Sequence, residues 1–396
     1  MDKKYLLLIL MSASAFGIYL GAAFVNLSYS TKTLYGETIA RTTTPLPNVA
    51  SVSNHFTQLR IEKIRKIYFK LWNNVITSYE TKYMIDGKDI CNFSSPPFLL
   101  FFVLSLPNNT LQRQTIRRTW GDLASQKNSS FNISARMVFM LGRMTDGNMF
   151  DRLVQKESTE YNDIVQFDFL ESRYNLTRKM MYGLRWVKTY CHSVRYILKV
   201  DDDTFINVDR LSDYLLTDSN INNKAIHGYV YHYGGPVLRD GKYAVKIDEL
   251  PSSQYPPYVS GTSYILPYDA IPDMLYLAER LPYCPVDDAF MTGVMRTILD
   301  IKIKHSGDFT NMAETKIDSC TFDSKIAVTN IDTNCMNVLW NLTTQAKVTN
   351  CTQYRFYGNN KLNSHNDFAT WLDESELHSA LISSNFTSTL VGATRL

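Results

Sequence analysis

Between residues 96 and 200, four largely apolar runs alternate with segments of helical spacing, and this pattern limits the fold more than any other feature. PPFLLFFVLSL (96–106) reads as a buried strand, because a strand covered on both faces loses the apolar–polar alternation of a half-exposed one. NTLQRQTIRRTW follows and looks helical. ARMVFMLG (135–142) predicts a second strand, 148–161 a second helix and DIVQFDF (163–169) a third strand. Leu176, Met180, Leu184, Val187 and Cys191 line one side of a third helix, and RYILKV (195–200) is a fourth strand. Strands alternating with helices predict an α/β fold with a mostly parallel sheet covered on both faces. Ligands bind such sheets beyond the carboxyl ends of the strands, so the residues just after each strand carry most weight.

Directly after the fourth strand stand Asp201, Asp202 and Asp203. Side chains alternate along extended backbone, so Asp201 and Asp203 share one side and Asp202 takes the other. Two convergent carboxylates repel unless a cation joins them, and a hard divalent ion with oxygen ligands answers that need. The bland alternative is a solvated acidic turn. Asp287 and Asp288 in PVDDAFMTG form a second acidic pair, either a general base or two acids suited to a helix N-terminus. In RQTIRRTWG, Arg113 and Arg117 are four apart and share a helical face, which suits a phosphate or sugar acid, with Trp120 free to stack on a ring. A solvated basic face with a buried Trp explains them equally well. YPPYVSGTSYIL (255–266) sets Tyr258, Ser260 and Gly261 on a turn entering a strand, where glycine permits close backbone approach to a ligand.

The chain start bears on compartment. Lys3 and Lys4 precede a run at 5–27 with no charged residue, long enough to span a ~30 Å hydrocarbon core as a helix. The lysines place residues 1–4 in the cytoplasm and the rest in a lumen. A cleaved signal peptide with Ala13-Ser14-Ala15 at its cleavage site is the competing reading. Asn-x-Ser/Thr triplets at Asn92, Asn108, Asn128, Asn132, Asn341, Asn350 and Asn385 are glycosylation acceptors on the luminal side. Asn26 lies too near the membrane, and at Asn175 a helix-start role competes with a glycan. Six cysteines without a CxxC pair predict two or three disulfides of undetermined pairing. Residues 28–90 read as a luminal stem holding an amphipathic helix at 59–76, 91–345 as the catalytic domain and 346–396 as an extension of unassigned role. With 41 Lys and Arg against 38 Asp and Glu, no concentrated basic charge favours nucleic acid.

In order, RQTIRRTWG, DIVQFDFLESRYNLTRKMMYGLRWV, YILKVDDDTFINVDRL, YPPYVSGTSYILP and PVDDAFMTG resemble the β-1,3-glycosyltransferase family of Golgi galactosyl- and N-acetylglucosaminyltransferases, glycosyltransferase family 31. These blocks fall within roughly 95–300. The resemblance implies a GT-A type, Rossmann-like domain behind a type II anchor in the Golgi membrane, acting on a glycoprotein or glycolipid acceptor, with a homodimer left open. It also implies an inverting transferase that uses a UDP-sugar with Mn²⁺ or Mg²⁺. Asp203 then becomes the direct metal ligand, and Asp201 and Asp202 complete the metal and nucleotide-sugar motif. Asp288 becomes the base, with Asp287 its acidic neighbour. Arg113, Arg117, Trp120 and Lys179 fall on nucleotide-sugar blocks, and Tyr258, Ser260 and Gly261 on a donor–acceptor loop.

Two departures stand out. Asp287-Asp288-Ala289 replaces a Glu-Asp-Val pattern, with charge kept. Thr329, in KIAVTN, falls where many members carry a metal- or phosphate-contacting His, while His305 lies elsewhere in IKHSG. A catalytically silent luminal protein of the same fold, and an adhesion module with a structural Ca²⁺, are the competing functions.

Overall fold

The computed structural model describes residues 75–92, 97–125, 133–145, 147–217, 224–311, 316–318, 324–344 and 353–355. The run at 5–27, the stem through residue 74 and most of 346–396 lie outside them. Among the described residues no helix is long and apolar enough to cross a membrane.

Four strands build the centre of the sheet: β2 (Leu99–Leu104), β3 (Ala135–Arg143), β4 (Ile164–Leu170) and β5 (Tyr196–Asp201). They pair in parallel in the order β4-β3-β2-β5, each close to its expected place. β1 (Tyr83–Ile85), from the segment read as stem, instead adds an antiparallel edge beside β4. On the other flank come β8 (Tyr258–Pro267), β7 (Ile226–Tyr231) and β9 (Ile303–His305), in that order. β8 runs against β5 and β7, while β7 and β9 are parallel to each other. Six of the eight strands therefore point one way. β5, β7 and β9 end at the same edge at which β8 begins.

All six β2 residues are buried, and the strand's alternation feeds two cores. Leu100, Phe102 and Leu104 enter one cluster with Met180, Leu184 and Val187 of α4 (Leu176–Tyr190). Leu99, Phe101 and Val103 enter the other with Ile116 and Trp120. The helices so far are α1 (Thr110–Arg118), α2 (Trp120–Ser125), α3 (Gly147–Tyr161) and α4; α5 (Val208–Thr217), α6 (Ile271–Ala278) and α7 (Thr333–Thr344) follow. α4 meets the sheet at Gly183, where an added Cβ would stand 2.2 Å from Cζ of Phe102. Two short antiparallel pairs complete the fold: β6 (Phe205–Ile206) with β11 (Ala327–Val328), and β10 (Lys316–Asp318) with β12 (Gln353–Arg355).

One disulfide, Cys91–Cys191, occurs among the described residues, while Cys284 and Cys335 are buried free thiols. Cys320 and Cys351 lie outside the described residues, as do the acceptors Asn128, Asn132, Asn350 and Asn385. Asn92 and Asn108 are exposed, and Asn341 is half-buried on α7.

Candidate active site

The carboxyl edge of the sheet gathers both acidic motifs. Asp201 ends β5, and Asp202 and Asp203 form a turn closed by the Thr204 amide donating to the Asp201 carbonyl at 3.2 Å, so the strand alternation expected across the three does not run through them. Asp202 turns toward the end of β2, where Oδ2 accepts from Ser105 Oγ at 2.7 Å and Asn109 Nδ2 at 2.9 Å. Burial pushes its carboxyl up, and those two bonds offset part of the rise. Asp203 is a different case. Burial, then the charges of Asp201 and Asp202, push its carboxyl up to about 7, with Lys199 opposing.

Thr329 lies beside this turn because β11 pairs with β6, which follows it directly. Thr204 Oγ1 donates to Thr329 Oγ1 at 3.0 Å, and the Thr329 amide donates to Thr310 Oγ1 at 3.0 Å. So the position aligned with the family's His is next to Asp203, occupied by a buried hydroxyl already engaged in the framework. His305 does not stand in for it. Its Nδ1 accepts from the Val230 amide at 3.1 Å, and its ring lies 5.1 Å from that of His232.

Asp288 caps a π-helix over Ala289–Met295. Helices of this type are rare and concentrate at functional sites. Oδ1 accepts from the Ala289 amide at 2.7 Å, and Oδ2 accepts from the Gly261 amide of β8 at 2.9 Å. The helix-start reading of this pair is therefore true of Asp288, and it leaves the carboxylate clamped between two elements. A Cβ at position 261 would stand 3.0 Å from Asp288 Oδ2, tight enough that Asp288 would have to shift to admit it. Burial and the Asp287 charge push the Asp288 carboxyl up. Asp287, almost fully buried, is also pushed up by burial, against the pull of Lys199. Tyr258 stands near, since burial and the Asp288 charge raise its phenol, and its ring packs 4.9 Å from that of Tyr231. Ser260 is buried, with Oγ 3.4 Å from Thr262 Oγ1.

Lys199 was not singled out in the sequence, yet it connects these groups. It sits within β5, 2% exposed. Nζ donates to Asp201 Oδ1 at 2.5 Å and to the Gly261 carbonyl. Burial acts to lower its pKa, but Asp201, Asp287 and Asp288 outweigh that and raise it. The signal was legible: one charge inside the apolar run YILKV. A buried ammonium is costly unless carboxylates meet it.

The arginine block belongs to the framework instead. Arg113 is 0% exposed and pairs with Glu157 through Nε at 2.8 Å and Nη2 at 2.6 Å. Its remaining donors reach Ser105 Oγ, Thr110 Oγ1 and the carbonyls of Leu106 and Pro107. Arg117 grips Asp163 at 2.7 and 2.8 Å and Glu157 at 2.8 Å. Trp120 is buried 5.7 Å from Phe101, inside the core. Arg113 thus braces the end of β2, Arg117 ties α1 to α3 and to the start of β4, and Trp120 fills the core, so all three side chains are engaged within the domain. Lys179 is buried too, bonded to Glu171 Oε1 and the Ser105 carbonyl, each at 2.5 Å. Ser105 is a shared node: Asp202, Arg113 and Lys179 all bond it, so the block supports the aspartate turn from behind.

A metal fit follows from donor chemistry. Among the described residues, no group of three or more His, Cys, Asp and Glu converges to hold an ion unaided. Mg²⁺ and Mn²⁺ do not require one, since they are commonly held by one or two carboxylates plus substrate phosphates. Asp203, crowded by like charges, and Asp201 have the oxygen chemistry for this.

A mixed α/β domain with paired carboxylates at its carboxyl edge is a framework that serves many reactions, and comparison with known proteins narrows it. The galactosyltransferase family model matches residues 111–307. The chain is 30% identical to beta-1,3-galactosyltransferase 1 of Mus musculus and of Homo sapiens over 305 residues, 76% of this chain and 90% of each relative. It is 31% identical to beta-1,3-galactosyltransferase 5 of Pan paniscus over 245 residues, 60% of this chain and 79% of the relative. The chain belongs to the galactosyltransferase family, glycosyltransferase family 31, and is a glycosyltransferase.

Proposed function

We propose that the chain is an inverting hexosyltransferase that moves galactose or an N-acetylhexosamine from a UDP-sugar to a glycan hydroxyl in β-1,3 linkage. The single observation that carries this is Asp288: a buried carboxylate with raised proton affinity, fixed by the Gly261 and Ala289 amides at the edge where Asp201–Asp203 also end. The printed names of the relatives supply the linkage and the first donor to try.

Inversion needs one in-line displacement. The acceptor oxygen attacks the anomeric carbon while its proton passes to Asp288. The bond from that carbon to the UDP oxygen breaks, and UDP leaves with the electron pair. Asp288 suits the role because its raised pKa strengthens it as a base near neutrality. Asp287 and Lys199 set the charge around it. Asp203 with Asp201 would hold Mn²⁺ or Mg²⁺, which supplies Lewis-acid relief of charge growing on the diphosphate. Asp202, tied to Ser105 and Asn109, fixes the turn that presents its neighbours. No second carboxylate nucleophile is needed, unlike in a retaining glycosidase.

The same reading sets the chain in the Golgi membrane as a type II protein with a luminal catalytic domain. The uncharged run at 5–27 behind Lys3 and Lys4 supports it, and the Cys91–Cys191 disulfide fits an oxidising lumen.

The test is UDP release with UDP-galactose, UDP-N-acetylglucosamine, UDP-N-acetylgalactosamine and UDP-glucose, mixed glycan acceptors, and Mn²⁺ or EDTA. Acceptor-dependent release from one donor, lost in EDTA and in Asp288→Asn, is the expected result. UDP binding without release from any donor would favour a silent fold, the alternative that Thr329 motivates. No UDP binding would defeat both.

A further inference from the structure

We propose that Lys199 is a positioning residue that couples Asp201 to Asp288 through the two ends of Gly261. Its kinetic consequence rests on the transferase reading above; its structural consequence does not.

Lys199 lies in β5, opposite Phe102 of β2 and Tyr264 of β8. Nothing in the packing of an apolar strand calls for a lysine there. Its side chain is 3% exposed, so the ammonium has little water to solvate it and depends on its protein partners. Those partners belong to two different strands. One is Asp201 Oδ1 on its own strand, and the other is the Gly261 carbonyl on β8. Gly261 is held at its opposite end as well, since its amide donates to Asp288 Oδ2 at 2.9 Å. One β8 residue is thus clamped by the donor-side aspartate's partner at its carbonyl and by the base at its amide. An unbranched chain from Asp201 to Lys199 to Gly261 to Asp288 spans the site. Gly261 has no side chain to pin it, and these two bonds hold the peptide planes on either side of its Cα. Without the ammonium, the carbonyl loses this donor, and the amide that aims Oδ2 loses its support. Misplacing a reacting group by about 1 Å costs on the order of 100-fold in rate.

A merely charge-compensating lysine would affect stability and the proton affinity of Asp288, but not the local order of Gly261. A positioning lysine also changes the local order of Gly261 and kcat, with UDP affinity kept. The test uses the full chain and Lys199→Met, which keeps the length of the side chain and removes its donors and charge. Amide hydrogen exchange at Gly261 is measured on the unliganded protein, UDP affinity in Mn²⁺ by calorimetry, and turnover with the donor that the native protein uses. Expected are exchange at Gly261 faster by about tenfold or more, kcat lower by about 30-fold or more, and UDP affinity within about threefold. Lys199→Arg, which returns a cation and donors, is expected to recover about a third or more of the native exchange protection at Gly261. Exchange at Gly261 within about twofold of native in Lys199→Met overturns the proposal, as does faster exchange with unchanged kcat. If Lys199→Met fails to fold, Lys199→Leu, which likewise carries no donor and no charge, is read against the same thresholds. If the native protein turns over no donor, the transferase reading fails by itself, and the exchange result alone decides the role of Lys199.

Discussion

At the scale of single residues, the two kinds of buried charge lead to different measurable losses. Asp288 has its proton affinity raised by burial and by Asp287. A base must be ionised to accept a proton, so activity falls as pH drops through a raised pKa. kcat/KM is therefore expected to decline on the acid side near neutrality, well above the ordinary carboxylate range. A limb near pH 4 would remove Asp288 as the base. Asp288→Asn is expected to lower kcat by about 100-fold or more while UDP binding persists. Glu157 behaves in the opposite sense. Burial pushes it up, but the bonds and charges of Arg113 and Arg117 outweigh that and hold it below its ordinary 4.5. A depressed carboxylate stabilises the fold above its unfolded pKa, and that contribution is lost as pH falls through the folded one. Breaking a buried pair by removing one partner costs about 3–5 kcal/mol, because the other charge is stranded. Arg113→Met is thus expected to lower the unfolding free energy by that order in denaturant titration. An effect confined to UDP affinity, with stability unchanged, would restore Arg113 to the ligand site.

At the scale of elements, α4 packs on β2 only because Gly183 removes a side chain at the contact. Gly183→Ala would place a methyl group 2.2 Å from the Phe102 ring, so the ring or the helix must shift. Overpacking of this kind costs about 1–3 kcal/mol. Gly183→Ala is expected to lower stability by that order and Phe102→Leu in the same chain to recover part of it; additive losses in the double variant would show that the two do not touch. These elements also show what the sequence disclosed. β2 to β5 were legible because strands buried on both faces are apolar over most of their length, and such runs have few other uses. The reversed β8 was not, since antiparallel insertion depends on how the long 232–257 connection returns, and periodicity carries no direction. Asp201–Asp203 were legible as polar residues at and just past the end of a buried strand, and Asp287-Asp288 only as an acidic pair with two readings. The roles of Arg113 and Arg117 were not, because their partners Glu157 and Asp163 are 40 to 46 residues away in sequence. A basic helical face looks the same whether carboxylates of another element cover it or a ligand does. Lys199 was visible as an oddity, but its meaning required Gly261 to be placed beside it by the β5–β8 pairing.

At the scale of the molecule, the stretch from residue 75 to Cys91 ties distant parts of the domain together before the first central strand begins. The amides of Ile76 and Thr77 donate to the Glu279 carbonyl at 2.8 and 3.1 Å, just beyond α6. β1 then pairs with β4 at the opposite flank, and Trp186 Nε1 of α4 donates to the Asp86 carbonyl at 2.5 Å. The disulfide closes this strap by joining Cys91 to Cys191 at the end of α4. The bridge spans a sequence separation of 100 residues. In the chain-entropy view, a loop of that size contributes up to about 4.7 kcal/mol by restricting the unfolded state. Removing native bridges costs about 2–5 kcal/mol in small domains. At about 2–4 °C per kcal/mol for a domain of this size, Cys91→Ser is expected to lower Tm by roughly 5–15 °C. The strap touches α4, α6 and β4 but supplies no side chain to the aspartate sites. The variant should accordingly retain near-native turnover well below its Tm. Unchanged thermal stability would mean that the hydrogen bonds and β1 hold the strap unaided. Lost turnover in a still-folded variant would mean that the placement of Asp288 depends on the strap, through α6 and the segment that leads from it to Asp287.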